Sequence, residues 1–298
     1  MPALDPHDPP QWVDRTAYPF ESRWLELPSG YRMHYVDQGE GETLLFVHGT
    51  PTWSFEWRRI IQALAPHARC VAPDLLGFGL SGRPRDGAYT PEWHAENLAH
   101  FVHRLGLDHL TLVVHDYGGP IGLPLALQNP GHVRRLVVMN TFMWSLKGDK
   151  RVERASKLVG GSLGRLLYRR LNFSLKVIMP SAFADKKKLT PELHSQYLAP
   201  FPDAWSRGAV LWPLAHALLG SDAFFTSLWE RREALRAFPA LVIWGTEDPA
   251  FPRDHLNRWR EVLPHARIAE LPVGHWPQEE APEKVIAAME DFLGLGHG

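Results

Sequence analysis

The sequence predicts an α/β fold: a mostly parallel central sheet flanked by helices, with a helical insertion in the second half of the chain. Three observations carry that reading. Short apolar runs recur along the chain, each ending in a turn. Helix-like stretches separate them. Polar residues gather just past the ends of the runs, where open parallel sheets bind ligands.

The first strand candidate is Thr43 to Val47 (TLLFV), which runs into His48-Gly49-Thr50-Pro51. Arg69 to Pro73 (RCVAP) runs into Asp74-Leu75-Leu76-Gly77, and Leu110 to Val114 (LTLVV) into His115-Asp116. Leu136 to Met139 (LVVM) leads to Asn140-Thr141, and Leu241 to Trp244 (LVIW) to Gly245-Thr246-Glu247-Asp248. Arg267 to Leu271 (RIAEL), the least apolar, leads to Pro272-Val273-Gly274-His275. Mostly apolar runs this short suit strands covered on both faces. Pro91 to Leu105, with apolar or small residues at roughly helical spacing, is the clearest helix between them. From about Phe142 to Arg232 no strand is evident, and amphipathic pieces run through Val152–Leu171 and Trp205–Leu219. A helical insertion between two strands reads as a cap over the strand ends. The expected division is a core of residues 1–141 and 233–298 and a cap of residues 142–232. The cap holds 15 Lys or Arg against 7 Asp or Glu, a balance that reads first as a solvated outer face.

Composition narrows the class. The 298 residues are 45% hydrophobic and 22% charged, as in ordinary globular proteins, and the length buries a core without disulfides or metals. The single cysteine, Cys70, allows no intrachain disulfide. A net charge of −1 speaks against a partner held through its phosphates, so no nucleic acid is expected. No basic-then-apolar leader is visible between Met1 and Trp12, and the most apolar stretch, Leu110 to Leu127, is broken by His115, Asp116, the pair Gly118-Gly119 and two prolines. No membrane association is expected, and the location expected is cytoplasmic. Oligomeric state is left open between monomer and homo-oligomer.

Two patterns match a motif without its context, and a group of histidines matches none. Gly160-Gly161-Ser162-Leu163-Gly164 spells G-x-S-x-G, yet only Leu158-Val159 precede it where a buried strand is needed, so it reads as a helix junction. Gly77, Gly79 and Gly82 spell G-x-G-x-x-G, but Arg83-Pro84-Arg85-Asp86-Gly87 follows in place of a helix. His94, His100, His103 and His109 lack the spacing of metal ligands, and no metal is expected.

The segment Leu112-Val113-Val114-His115-Asp116-Tyr117-Gly118-Gly119 has the form of a buried strand ending in an acid, followed by two glycines that allow a tight turn into a helix. Asp116 then stands where a nucleophile elbow usually carries Ser. Asp248 and His275 follow later strands, in the chain order nucleophile, acid, histidine.

These motifs resemble the haloalkane dehalogenase branch of the α/β-hydrolase superfamily. The matching segments are His48-Gly49-Thr50-Pro51-Thr52-Trp53-Ser54, Asp74-Leu75-Leu76-Gly77-Phe78-Gly79-Leu80-Ser81, His115-Asp116-Tyr117-Gly118-Gly119, Trp244-Gly245-Thr246-Glu247-Asp248 and Gly274-His275-Trp276. Tyr197-Leu198-Ala199-Pro200-Phe201-Pro202 resembles a piece of that family's cap. The resemblance implies an α/β-hydrolase fold and hydrolytic dehalogenation of small apolar haloalkanes, with water as second substrate and no cofactor. It implies Asp116 as nucleophile, His275 as the base that activates water, and Asp248 as its partner, since Asn140 is no carboxylate. Backbone N–H groups of Thr50 and Tyr117 would hold the oxyanion. A carboxylate suits an sp3 carbon, because attack leaves an ester that water can cleave.

The family's halide clamp is the point of departure. Its positions are filled here by Thr50 and Tyr117, and Trp144, Phe173 and Trp212 are the candidates to line the pocket from the cap. Epoxide hydrolysis by the same triad is the alternative, with Tyr168 and Tyr197 as cap acids, although Arg169 and Arg170 suggest that Tyr168 lies on a wet face. A non-catalytic, ligand-binding α/β-hydrolase is the third reading.

Overall fold

The computed structural model describes residues 9–295. Residues 1–8, where most of the proline-rich start falls, and 296–298 at the end of the expected core lie outside the described residues. Eight strands form one sheet: β1 (Arg23–Glu26), β2 (Arg32–Gln38), β3 (Thr43–Val47), β4 (Arg69–Pro73), β5 (Leu110–Asp116), β6 (Val133–Thr141), β7 (Ala240–Gly245) and β8 (Arg267–Leu271). Their spatial order is β1-β2-β4-β3-β5-β6-β7-β8. The pairs β1·β2 and β2·β4 are antiparallel and the other five parallel. All six strands expected from the apolar runs are present. β1 and β2 were not expected. β1 is four residues long and part-exposed, and β2 carries His34 in its interior. That histidine is buried because Asp74 Oδ2 takes its Nδ1 at 2.8 Å, while Ser22 Oγ lies 3.1 Å from its Nε2. A polar residue satisfied across the sheet leaves no apolar run to read.

Every residue of β5 is buried, and so are Leu44–Val47 of β3. Each such Val or Leu contributes about 1.5–3 kcal/mol by leaving water, which makes these two strands the rigid centre of the sheet. Helices α1 (Arg58–Leu64), α2 (Pro91–Leu105) and α3 (Gly118–Gln128) flank it. The bounds of α2 are those expected: Thr90 caps its start, with Pro91 at the first helical position, and Gly106 closes it at φ 65°. Between β6 and β7 the described residues form helices and turns only, beginning with α4 (Lys150–Val159) and α5 (Ser162–Leu171). Gly160-Gly161 separates these two, so the G-x-S-x-G pattern lies at a helix junction. Among the described residues no helix is long and apolar enough to cross a membrane.

Candidate active site

β5 and α3 meet in a sharp turn. Asp116 ends the strand with φ 51°, in the left-handed region, and α3 begins two residues later. A non-glycine residue held there costs of order 1–3 kcal/mol, so its surroundings must impose it. They do so by close approach. A Cβ on Gly118 would run into the carbonyl oxygen of Val47, and one on Gly49 into the Asp116 carboxylate. The Thr141 hydroxyl donates to the main-chain carbonyl of Asp116. The turn lifts the carboxylate above the ends of β3, β5 and β6.

Three chain segments then converge on it. The Thr50 N–H donates to Asp116 Oδ1 at 2.8 Å. His275 Nε2 stands 3.4 Å from Asp116 Oδ2, and His275 Nδ1 lies 2.7 Å from Asp248 Oδ2. Asp248 is itself held by two donors, the Asn140 side-chain N–H at 2.8 Å on Oδ2 and the Ala250 N–H at 2.7 Å on Oδ1. Asn140 also exchanges hydrogen bonds with the Gly245 main chain, its Oδ1 accepting at 2.7 Å and its Nδ2 donating at 3.1 Å. The main chain of His275 is pinned at both ends: its N–H donates to Ala182 at 2.9 Å, and His115 Nε2–H donates to its carbonyl at 2.8 Å.

Burial opposes a charged His275, but the carboxylates of Asp248 and Asp116 outweigh burial and raise its pKa to about 10. Burial likewise works against the Asp248 carboxylate. The charge of His275 and the hydrogen bonds from His275 and Asn140 overcome it and hold the group below its ordinary pKa. His275 therefore holds its proton at neutral pH, between the side chains of Asp248 and Asp116.

Of the polar residues past the strand ends, Asp116, Asp248 and His275 come together, with Asn140 directly behind Asp248. His48 and Asp74 brace loops instead. His48 Nδ1–H donates to the Gly49 carbonyl and its Nε2 accepts from Leu75 N–H, while Asp74 accepts from Ser54 N–H and Leu80 N–H. Asn140 is no carboxylate, yet it serves the site. Its amide can both donate to Asp248 and accept from Gly245, which no carboxylate does.

A cavity of about 370 Å³ opens over Asp116. Its walls are mainly apolar, from Val152, Leu158, Phe173, Ile178 and Phe251, and its polar edges include Thr50, Tyr168 and Trp276. That size and lining suit a small apolar molecule.

A family model for the α/β hydrolase fold matches residues 42–282. The chain is 36% identical over 284 residues to haloalkane dehalogenase 2 of Mycobacterium tuberculosis (strain ATCC 25618 / H37Rv), covering 94% of this chain and 98% of that one. It is 31% identical to a cis-3-alkyl-4-alkyloxetan-2-one decarboxylase of Shewanella oneidensis, covering 93% and 90%. The crystal structure of haloalkane dehalogenase DbeA from Bradyrhizobium elkani USDA94 superposes with a TM-score of 0.82 at 27% identity, over 93% of this chain and 98% of that one. The chain belongs to the α/β-hydrolase family, in its haloalkane dehalogenase branch.

Within this hydrolase several expected positions change. The Tyr117 hydroxyl is not free to meet a leaving group: it donates to the Leu214 carbonyl at 2.6 Å, and its ring packs edge-on against Phe142. Thr50 borders the cavity, and its buried hydroxyl has no hydrogen-bond partner among the described residues. Phe173 lines the cavity, but Trp144 and Trp212 do not. Trp144 is buried among Trp229, His255 and Trp259, beside a separate cleft. Trp212 stacks on His216 and donates its indole N–H to the Val159 carbonyl at 3.1 Å. Trp144 is thus buried away from Asp116, and Trp212 is half-buried with Arg165 over its ring.

Tyr168 corrects the reading of a wet face. Arg169 and Arg170 are exposed, but a helix turns by 100° per residue, and Tyr168 points inward with Gly164 one turn before it. It lines the cavity, and burial raises its pKa to about 12, so it is a neutral phenol and a donor. Tyr197 lies elsewhere, its hydroxyl on Glu279. Trp276 was quoted only as part of a motif. It also borders the cavity, and its indole N–H is buried without a partner among the described residues.

Proposed function

We propose that this hydrolase cleaves the carbon–halogen bond of small haloalkanes through a covalent ester on Asp116. The observation that carries the proposal is a carboxylate, where this fold usually sets a hydroxyl, on an elbow 3.4 Å from His275 and open to an apolar cavity. Asp116 Oδ1 is engaged by the Thr50 N–H, which leaves Oδ2 to attack the sp3 carbon in line and expel halide. The product is an alkyl ester whose carbonyl oxygen is Oδ1.

Esterification removes the negative charge of Asp116. His275 then keeps only Asp248 as counter-charge, so its pKa falls, it gives its proton up to solvent as halide leaves, and the neutral imidazole is a base able to take a proton from water. Water attacks Cγ of the ester, and the negative charge that develops on Oδ1 meets the Thr50 N–H already in place. Collapse expels the alkoxide, which takes the proton held by His275 and leaves as the alcohol; the carboxyl of Asp116, now carrying the oxygen from water, passes its proton to His275 and is a carboxylate again. Asp248, fixed by Asn140 and Ala250, holds the imidazole ring in orientation throughout.

The test is trapping. With His275→Phe, 1-bromohexane is expected to leave the hexyl group on the peptide carrying Asp116, read by mass spectrometry, while the wild type releases bromide and Asp116→Ala releases none. Bromide release that survives Asp116→Ala would end the proposal.

One observation supports a second reading. With the Tyr117 hydroxyl committed to Leu214, the phenol of Tyr168 is a donor facing the cavity from the insertion, and an oxygen leaving group needs such a donor more than a halide does. Opening of a strained oxygen ring by Asp116 fits that phenol, so epoxides and alkyl-substituted oxetan-2-ones belong in the same substrate panel. Turnover of these alone, dependent on both Asp116 and Tyr168, would move the function there. Binding without turnover of any panel member would favour a ligand-binding role.

A further inference from the structure

Among the described residues, the exposed large hydrophobic side chains are Leu158, Leu163, Leu166, Leu171 and Val177, each between 48 and 60% exposed. All five fall in one segment of 20 residues, on the end of α4, on α5 and on the short helix after it. Single exposed leucines are ordinary, but a group confined to one part of the surface marks a contact face.

The same segment is strongly basic. Residues 150–177 hold eight Lys or Arg and one acid, Glu153, whose carboxylate accepts the Gly148 N–H. Of the eight, only Arg151 pairs with carboxylates among the described residues, namely Asp149 and Asp254. Arg154, Lys157, Arg170 and Lys176 are exposed without one. The charge of −1 for the whole chain conceals this local excess.

Exposed leucines among unpaired cations select their partner. A second copy of the same face would bring like charges together. An anionic lipid surface offers both things needed: negative headgroups for the cations, whose aliphatic stems reach outward past the leucines, and an acyl boundary for the leucines themselves. Leu158 belongs both to this face and to the wall of the cavity over Asp116, so the cavity borders the same face.

We propose that α4, α5 and the helix after it dock on an anionic phospholipid surface, with the cavity edge turned toward the bilayer. This departs from the expectation of no membrane association, which rested on the Met1 to Trp12 segment and on the broken apolar run from Leu110 to Leu127. It does not depend on which substrate the site turns over.

Co-sedimentation of the full chain with vesicles tests it. Binding is expected to vesicles of equal parts phosphatidylcholine and phosphatidylglycerol, to be absent with phosphatidylcholine alone, and to fall at high salt. Arg154→Glu/Lys157→Glu is expected to weaken binding about tenfold or more, and Leu163→Ser/Leu166→Ser to do the same, with circular dichroism unchanged for both. None of these four residues lines the cavity. No binding to the phosphatidylglycerol vesicles at low salt would overturn the proposal. So would binding that survives either double substitution, or binding that loses nothing in the leucine variant and is displaced by polyglutamate, which would mark the face as a dock for an acidic polypeptide.

Discussion

Replacing Asp116 by Asn removes one charge from the site and almost no volume. His275 Nε2 stands 3.4 Å from the oxygen that loses the charge. At an effective dielectric of about 20, a unit pair at that distance is worth about 5 kcal/mol, or about 3 to 4 pH units of pKa. His275 is expected to drop from about 10 to about 6 or 7. The assay is NMR titration of the imidazole nitrogens in wild type and Asp116→Asn, with Asp248→Asn as the companion that removes the other counter-charge. The alkyl ester proposed for Asp116 is neutral as well, so the variant mimics the state in which the proposed mechanism has His275 accept a proton from water. If His275 still titrates near its wild-type value in Asp116→Asn, the account of how ester formation switches the histidine from acid to base is wrong.

Other outcomes follow from the same geometry. Asn140→Leu takes away a hydrogen bond that favours the Asp248 carboxylate, so the pKa of Asp248 rises and the acid limb of the pH–rate profile moves to higher pH, with kcat down about tenfold. Tyr117→Phe leaves the Leu214 carbonyl without its donor and costs about 1–3 kcal/mol in urea unfolding, yet bromide release changes by less than about threefold, because that hydroxyl never faced the leaving group. The folded-state pKa of His275 is raised, so its stabilising contribution is complete below about 6.5 and is lost as pH rises toward about 10. The stability gap between wild type and His275→Gln is therefore expected to close between pH 6 and pH 10.

Six of the eight strands were legible because short, mostly apolar runs between turns have few other physical explanations, and the order of Asp116, Asp248 and His275 was legible because each follows one of those runs. β2 was not, since His34 sits in its middle and is tolerated only through Asp74, a partner 40 residues away. The same limit governs the site. An acid after a strand and a glycine pair after the acid are local signals, so the elbow could be read. Whether an aromatic ring enters a cavity depends on competing places for it, and Trp144 and Trp212 each had one. Tyr168 could have been read from helical period, four residues after Gly164, had the following arginines not been given more weight. The role of Asn140 was hidden by asking what it lacks as an acid rather than what an amide can bond on two sides. The basic excess of the insertion was countable at once, but its meaning needed the leucines that share its surface.

The hydrogen bond from Tyr117 to Leu214 has a mechanical consequence. It is a strut from the first turn after the nucleophile to a helix of the insertion, and Trp53 Nε1 on the Gln196 carbonyl is a second one at 3.0 Å. Lifting those helices from the sheet would pull on the elbow and disturb the 2.8 Å grip of Thr50 on Asp116. The roof over the site is thus braced beside Asp116 itself, so its helices and the elbow hold one another in place.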